Sequence, residues 1–218
     1  MTSYEGALGE ARRRLEAGEL VIHPTEAVYG LGGFLEDGPL ARLRGLKDRP
    51  AGGFVVLIPS ARSVANLLDA DGRALARAFW PGPMTLVLSD PADRFHPGAK
   101  APDGSVAVRV PAHPLTLRLL RDTGRPVTST SANRPGAPPA VTAEEAREAM
   151  LSLGTEPFAL DAGPLPGGAA STLVSLHEDC PILIRQGPLD VLRLNEVMRR
   201  PLSVPPGGDR GGCGGEGN

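Results

Sequence analysis

Short apolar runs and amphipathic helical stretches alternate along nearly the whole chain, and this interleaving limits the fold more than any other feature. Residues 20–23 form an apolar run stopped by Pro24, the pattern of a short buried strand. Before it, Tyr4, Ala7, Leu8, Ala11 and Leu15 fall at helical spacing, with Arg12, Arg13 and Arg14 between them. After it, residues 37–47 put Leu40, Leu43 and Leu46 on one helical face, and Pro39 suits a first turn. Further strands are expected at 54–58, 84–88, 105–110, 126–130, 172–176 and 182–185, and further helices at 60–68, 71–79, 113–121, 142–151 and 189–198. The helix at 142–151 opens on a capping box, in which Thr142 accepts from the Glu145 backbone and the Glu145 side chain reaches back. Some successive strands lie close enough for antiparallel pairing, and others are separated by helices. The reading is an α/β protein with a twisted, mixed parallel and antiparallel sheet flanked by helices.

A chain of 218 residues suits one domain. That domain is expected over 1–200, because 201–218 is rich in Pro and Gly, has few apolar residues and reads as a disordered tail. On this reading a chain ending near Arg200 keeps its activity. Aromatic residues are only 4% of the chain, so the core must rest on Leu, Val, Ile and Ala, and a base-stacking surface is disfavoured. A net charge of −2 argues against a protein dedicated to coating nucleic acid, but not against a local basic pocket. Cys180 and Cys213 lie far apart and imply neither a disulfide framework nor a CxxC metal site, so two ordinary thiols are expected. No apolar run approaches the ~18 residues that span a bilayer. The first ten residues lack a basic-then-apolar signal pattern, so a cytoplasmic protein with no membrane partner is expected.

There is no GxxxxGK[ST] loop, GxGxxG turn, GxSxG elbow or HExxH pair. His23, His96 and His113 lie next to or close to a proline and none is paired at metal-ligand spacing, which favours structural or exposed roles. Three segments are nonetheless unusually polar or glycine-rich. Residues 24–33 follow a strand, where α/β proteins place ligands, and offer the Thr25 hydroxyl, the Glu26 carboxylate and Gly30, Gly32 and Gly33; a plain turn fits equally well. Lys47 and Arg49 are held two residues apart in a stretch stiffened by Pro50 and suit polyphosphate, the lysine as a compact charge and the arginine as a fork, although Lys47 also complements a helix dipole. Thr128, Ser129, Thr130, Ser131 and Asn133 crowd the end of a strand as a dense donor array, although ordinary turns are also Ser- and Asn-rich. Arg109 interrupts an apolar strand on the same face as Ala107, and such an arginine needs an anionic partner or solvent.

Taken in order, these segments resemble the YrdC/Sua5 family, the threonylcarbamoyl-AMP synthases. The resemblance is carried by Pro24-Thr25-Glu26-Ala27-Val28-Tyr29-Gly30-Leu31-Gly32, Leu46-Lys47-Asp48-Arg49-Pro50, Trp80-Pro81-Gly82-Pro83-Met84-Thr85, Val106-Ala107-Val108-Arg109-Val110-Pro111, Ser129-Thr130-Ser131-Ala132-Asn133, Ser171-Thr172 and Ile184-Arg185-Gln186-Gly187. It spans residues 18–187 and looks most like the short, single-domain branch. Ala51-Gly52-Gly53 departs from the commoner Lys- or Asn-bearing loop.

The resemblance implies a twisted sheet around a large, positively charged concave cavity. It also implies the joining of L-threonine, bicarbonate and ATP into L-threonylcarbamoyl-AMP with release of pyrophosphate. Threonylcarbamoyl transferase proteins then use the product to modify adenosine 37 of ANN-decoding tRNAs. The family's KxR and SxN signatures fall on Lys47, Arg49, Ser131 and Asn133, implied to be catalytic and, with Ser129 and Arg185, to bind ATP. Thr25, Arg109 and Ser171 are implied to bind threonine, and Mg²⁺ to be held mainly by phosphate oxygens, with no metal site in the protein itself. Two rival readings stand beside this one. One is a YrdC-like RNA-binding module, with weak RNA binding also compatible with the enzyme, and the other is a paralogue using a different acyl-adenylate chemistry.

Overall fold

The computed structural model describes residues 2–48 and 52–205. In chain order the elements are α1 (Thr2–Glu16), β1 (Val21–Pro24), β2 (Tyr29–Gly32), α2 (Asp37–Leu46), β3 (Val55–Leu57), α3 (Ala70–Phe79), β4 (Met84–Ser89), β5 (Ser105–Arg109), α4 (Pro114–Thr123), β6 (Val127–Ser131), α5 (Ala143–Leu151), β7 (Phe158–Ala159), β8 (Thr172–Ser175), β9 (Ile182–Arg185) and α6 (Val191–Val197). The strands form one nine-stranded sheet among the described residues, ordered β7-β1-β2-β6-β3-β5-β4-β8-β9. Pairs β1–β7, β3–β5 and β4–β8 are parallel and the others antiparallel, so the sheet is mixed as the interleaving requires.

Strand alternation divides the core into two layers. Val21 and Leu57 turn toward α1 and α4, where they meet Leu8, Leu15, Leu119 and Leu120. Ile22, Val56 and Ile58 turn to the opposite side, with Leu43, Leu75, Leu86 and Val108. Leu8 and Leu15 are buried as the α1 pattern predicts, each contributing about 1.5–3 kcal/mol. Tyr4, on the same predicted stripe, is exposed. The capping box of α5 forms as read, Thr142 accepting from the Glu145 N–H at 3.1 Å.

Three expectations change. Residues 60–68 form only a 3-10 turn at Ala61–Val64, not a helix. The polar stretch 24–33, read as a loop, contains β2, which pairs with β1 and β6 in mid-sheet. Two of its four residues are glycine, so propensity conceals it. The glycines are there for space: a Cβ at Gly32 would overlap the Thr128 carbonyl oxygen outright, and one at Gly30 would sit 2.6 Å from His23 Cε1 and 2.9 Å from Ser129 Oγ. Third, β7 is too short at two residues to leave a periodic signal.

The packed chain also runs past Arg200. Leu202 is buried in the core, and Ser203 bridges β9 at Ile182. Just before it, the buried Asp71 accepts from the Arg199 N–H at 2.6 Å and from Arg200 Nε at 2.6 Å. Burial opposes the charge on Asp71, yet these donors hold its carboxyl below the usual carboxylate range. Of the stretch expected to be a disordered tail, residues 206–218 lie outside the described residues. Cys180 is disulfide-bonded rather than an ordinary thiol; sequence spacing carries no signal for such a bond.

Gly32→Ala should lower the unfolding free energy by about 2–4 kcal/mol, or prevent folding. Urea titration checks this against Gly9→Ala, whose Cβ meets nothing within 4 Å and which should match or slightly exceed the parent. Relative to a chain ending at Pro205, one ending at Arg200 exposes the Leu202 site and should melt several degrees lower.

Candidate functional site

A cavity of about 700 Å³ opens against one face of the sheet. Its floor comes from alternate residues of β5, Ser105, Ala107 and Arg109, while Val106 and Val108 face the core, as the alternation predicts. The turn 25–28 and the end of β6 line it, as does the irregular segment that follows β7. That segment is tied down by Tyr29, whose hydroxyl donates to the Gly163 carbonyl at 2.7 Å and accepts from the Ala162 N–H at 3.0 Å.

The structure brings Lys47, Ser131 and Asn133 into one hydrogen-bonded cluster. Lys47 Nζ, buried at the end of α2, donates to the Asn133 backbone oxygen at 2.6 Å and to its Oδ1 at 2.8 Å. Ser131 Oγ donates to the same Oδ1 at 2.6 Å. Ser131 and Ser129 line the cavity, while Lys47 supports Ser131 through the shared Asn133 oxygen. Asn133 faces a second hollow of about 380 Å³ formed with residues 132–149. Arg49 lies outside the described residues.

A second group sits where β8 and β9 meet. Ser171 Oγ shares a hydrogen with Thr85 Oγ1 at 2.7 Å and accepts from Arg185 Nη2 at 3.2 Å, while Arg185 Nε donates to the Ser171 carbonyl at 3.0 Å. Ser171 and Arg185, assigned to different substrates on resemblance, are therefore direct neighbours. Thr85, quoted in the sequence reading only as part of the 80–85 stretch, is not among the expected site residues, although a hydroxyl inside the apolar run 84–88 is a legible signal.

Arg109 forms the third group. Its Nε donates to the Gly82 carbonyl at 2.9 Å, a carbonyl presented by the Trp80-Pro81-Gly82-Pro83 turn. Its Nη2 pairs with Glu26, whose other oxygen accepts from the Ala112 N–H. The anionic partner that a mid-sheet arginine requires is thus a residue of the chain itself. Thr25 closes the turn bearing Glu26, its Oγ1 donating to the Val28 carbonyl at 2.7 Å. Cationic, hydroxyl and amide groups of this kind can bind phosphate and carboxylate oxygens without a protein nucleophile.

Comparisons with known proteins identify the family. The Sua5/YciO/YrdC family model, described as telomere recombination, matches residues 13–187. The chain belongs to this family. A Mycobacterium tuberculosis protein provisionally named threonylcarbamoyl-AMP synthase is 39% identical over 195 residues, covering 84% of this chain and 85% of its own. The threonylcarbamoyl-AMP synthase of Bacillus subtilis is 32% identical over 214 residues, covering 95% of this chain and 60% of its own. The crystal structure of P. abyssi Sua5 complexed with L-threonine superimposes with a TM-score of 0.77 at 32% identity, covering 91% of this chain and 60% of that one. The chain thus spans about six tenths of these two longer relatives.

Beneath Gly30 lies His23, which is fully buried with no well-formed hydrogen bond at either ring nitrogen among the described residues. Burial pushes its pKa down to about 4, with a smaller push from His113 and Arg109, and the Pro24 backbone and the Glu26 carboxylate offset this only in part. A histidine kept neutral by the fold binds protons more readily when unfolded. Its contribution is therefore complete above about pH 6.5 and is lost as pH falls toward 4. The unfolding free energy should drop by roughly 2 kcal/mol between pH 7 and pH 5 from this group. Urea titrations at the two pH values should show a smaller drop, by that amount, in His23→Phe.

Proposed function

We propose that the chain synthesises L-threonylcarbamoyl-AMP from L-threonine, bicarbonate and ATP with release of pyrophosphate. The observation that carries this reading is a cavity lined by Arg109 and by Ser131, the latter held by the Asn133 oxygen to which Lys47 also donates, in a chain of this family. Lys47 and Arg49 hold the triphosphate and the departing pyrophosphate, with Ser129, Ser131 and Asn133 donating to phosphate or carbamate oxygens. Arg185 contacts the nucleotide. Thr25, Arg109 and Ser171 hold threonine, with Arg109 on its carboxylate.

Threonine and bicarbonate form a carbamate, whose oxygen attacks the α-phosphorus of ATP and expels pyrophosphate. The side chains act by positioning the reactants and stabilising charge. Among the described residues no group of three or more His, Cys, Asp or Glu side chains is placed to hold a metal ion; we assign the cation to the nucleotide's own phosphates. Mg²⁺ so carried neutralises phosphate charge. No helix among the described residues is long and apolar enough to cross a membrane; we place the work in the cytoplasm. There the product passes to threonylcarbamoyl transferase proteins that modify adenosine 37 of ANN-decoding tRNAs.

Pyrophosphate release should require threonine and bicarbonate together. Release with serine alone, or none with threonine, rejects the substrate assignment. Arg49→Ala and Asn133→Ala should each cut the rate at least ~100-fold, the scale for losing a preorganised charge-stabilising donor. A variant with near-normal turnover removes its residue from the site.

A further inference from the structure

An arginine and a glutamate that face one cavity, each with hydrogen-bonding capacity to spare, form a receptor for a zwitterion. Of about five guanidinium N–H donors, Arg109 spends one from Nε on the Gly82 carbonyl and one from Nη2 on Glu26, and Nη1 takes no partner among the described residues. Glu26 accepts from Arg109 with one oxygen and from the Ala112 N–H with the other. That leaves about half of the roughly four lone-pair sites of a carboxylate. Both residues line the cavity, with side chains 11% and 24% exposed for Arg109 and Glu26. Their backbones are fixed, Arg109 by the β5 ladder with β3 and Glu26 by the turn that Thr25 closes. In an α-amino acid the carboxylate and amino group are joined through a single carbon. A ligand whose carboxylate reaches the free donors of Arg109 therefore brings its amino group beside Glu26.

We propose that Glu26 determines specificity for an amino-acid substrate by receiving its amino group while holding Arg109 for its carboxylate. This rests on the function proposed above. The proposal differs from a purely structural ion pair in the sign of one effect. Neutralising Glu26 leaves the Arg109 charge uncompensated, which penalises a zwitterion but favours an anion that lacks the amine. A structural role alone weakens both ligands together.

The test is calorimetric titration of the full chain with L-threonine and with 2,3-dihydroxybutanoate of matching stereochemistry, in which a hydroxyl replaces the amino group. The parent should prefer threonine by about 10-fold or more, the scale of one hydrogen bond to a charged group. Glu26→Gln should lose at least that factor for threonine while binding the dihydroxy acid as tightly as the parent or more so. Glu26→Asp, which keeps the charge, should retain the preference. Equal binding of the two ligands by the parent overturns the proposal without needing a folded variant. So does Glu26→Gln that weakens both ligands alike, or neither. If the parent binds neither ligand and threonine stimulates no pyrophosphate release, the function itself is rejected, and the Glu26 proposal with it. Threonine-dependent release with equal binding of both ligands rejects only the role of Glu26.

Discussion

The structure depends on how closely β2 lies against its neighbours. With hydrogen in place of side chains at Gly30 and Gly32, the strand fits against the Thr128 carbonyl on one side and over the His23 ring on the other. That contact keeps β1, β2 and β6 in a single sheet and sets the Gly30–Ser131 register. The register in turn leaves the polar end of β6 beside the turn that carries Thr25 and Glu26. Side chains at positions 30 and 32 would push these two halves of the cavity apart.

The cavity handles charge in two different ways. Lys47 is buried and satisfied on two Asn133 oxygens, so it fixes the cluster as much as it contributes charge. Arg109 is only partly satisfied, by the Gly82 carbonyl and Glu26, and keeps donors turned to the cavity. A buried charge must be paired to be tolerated, and one with unused donors in a cavity is available to a ligand. Backbone carbonyls take part in both, that of Asn133 for Lys47 and that of Gly82 for Arg109. The WPGP turn, whose proline positions fix its path, supplies one of them.

Several of these features are legible in the residues themselves. Alternation around Arg109 gives the face it shares with Ala107 and its need for an anion. The lone polar residue in the apolar run 84–88 marks Thr85. Others are not legible: β2 reads as a loop because glycine has low strand propensity wherever it occurs, and only its neighbours reveal that space is the reason. Glu26 and Arg109 are 83 positions apart in the chain, and each looks like an isolated charge until the fold brings them together.

The sequence by itself determined the class of fold, the two-faced patterning of most strands and helices, and the residue types able to bind phosphate and carboxylate, because these follow from local periodicity and side-chain chemistry. Tertiary structure alone decided which of those groups meet. It joined Lys47 to Asn133, Ser171 to Arg185, and Arg109 to Glu26, and it buried Leu202 beyond the apparent end of the domain. The physical reason is that pairing energies depend on distance and burial, and both are set by strand register and packing between segments remote in sequence.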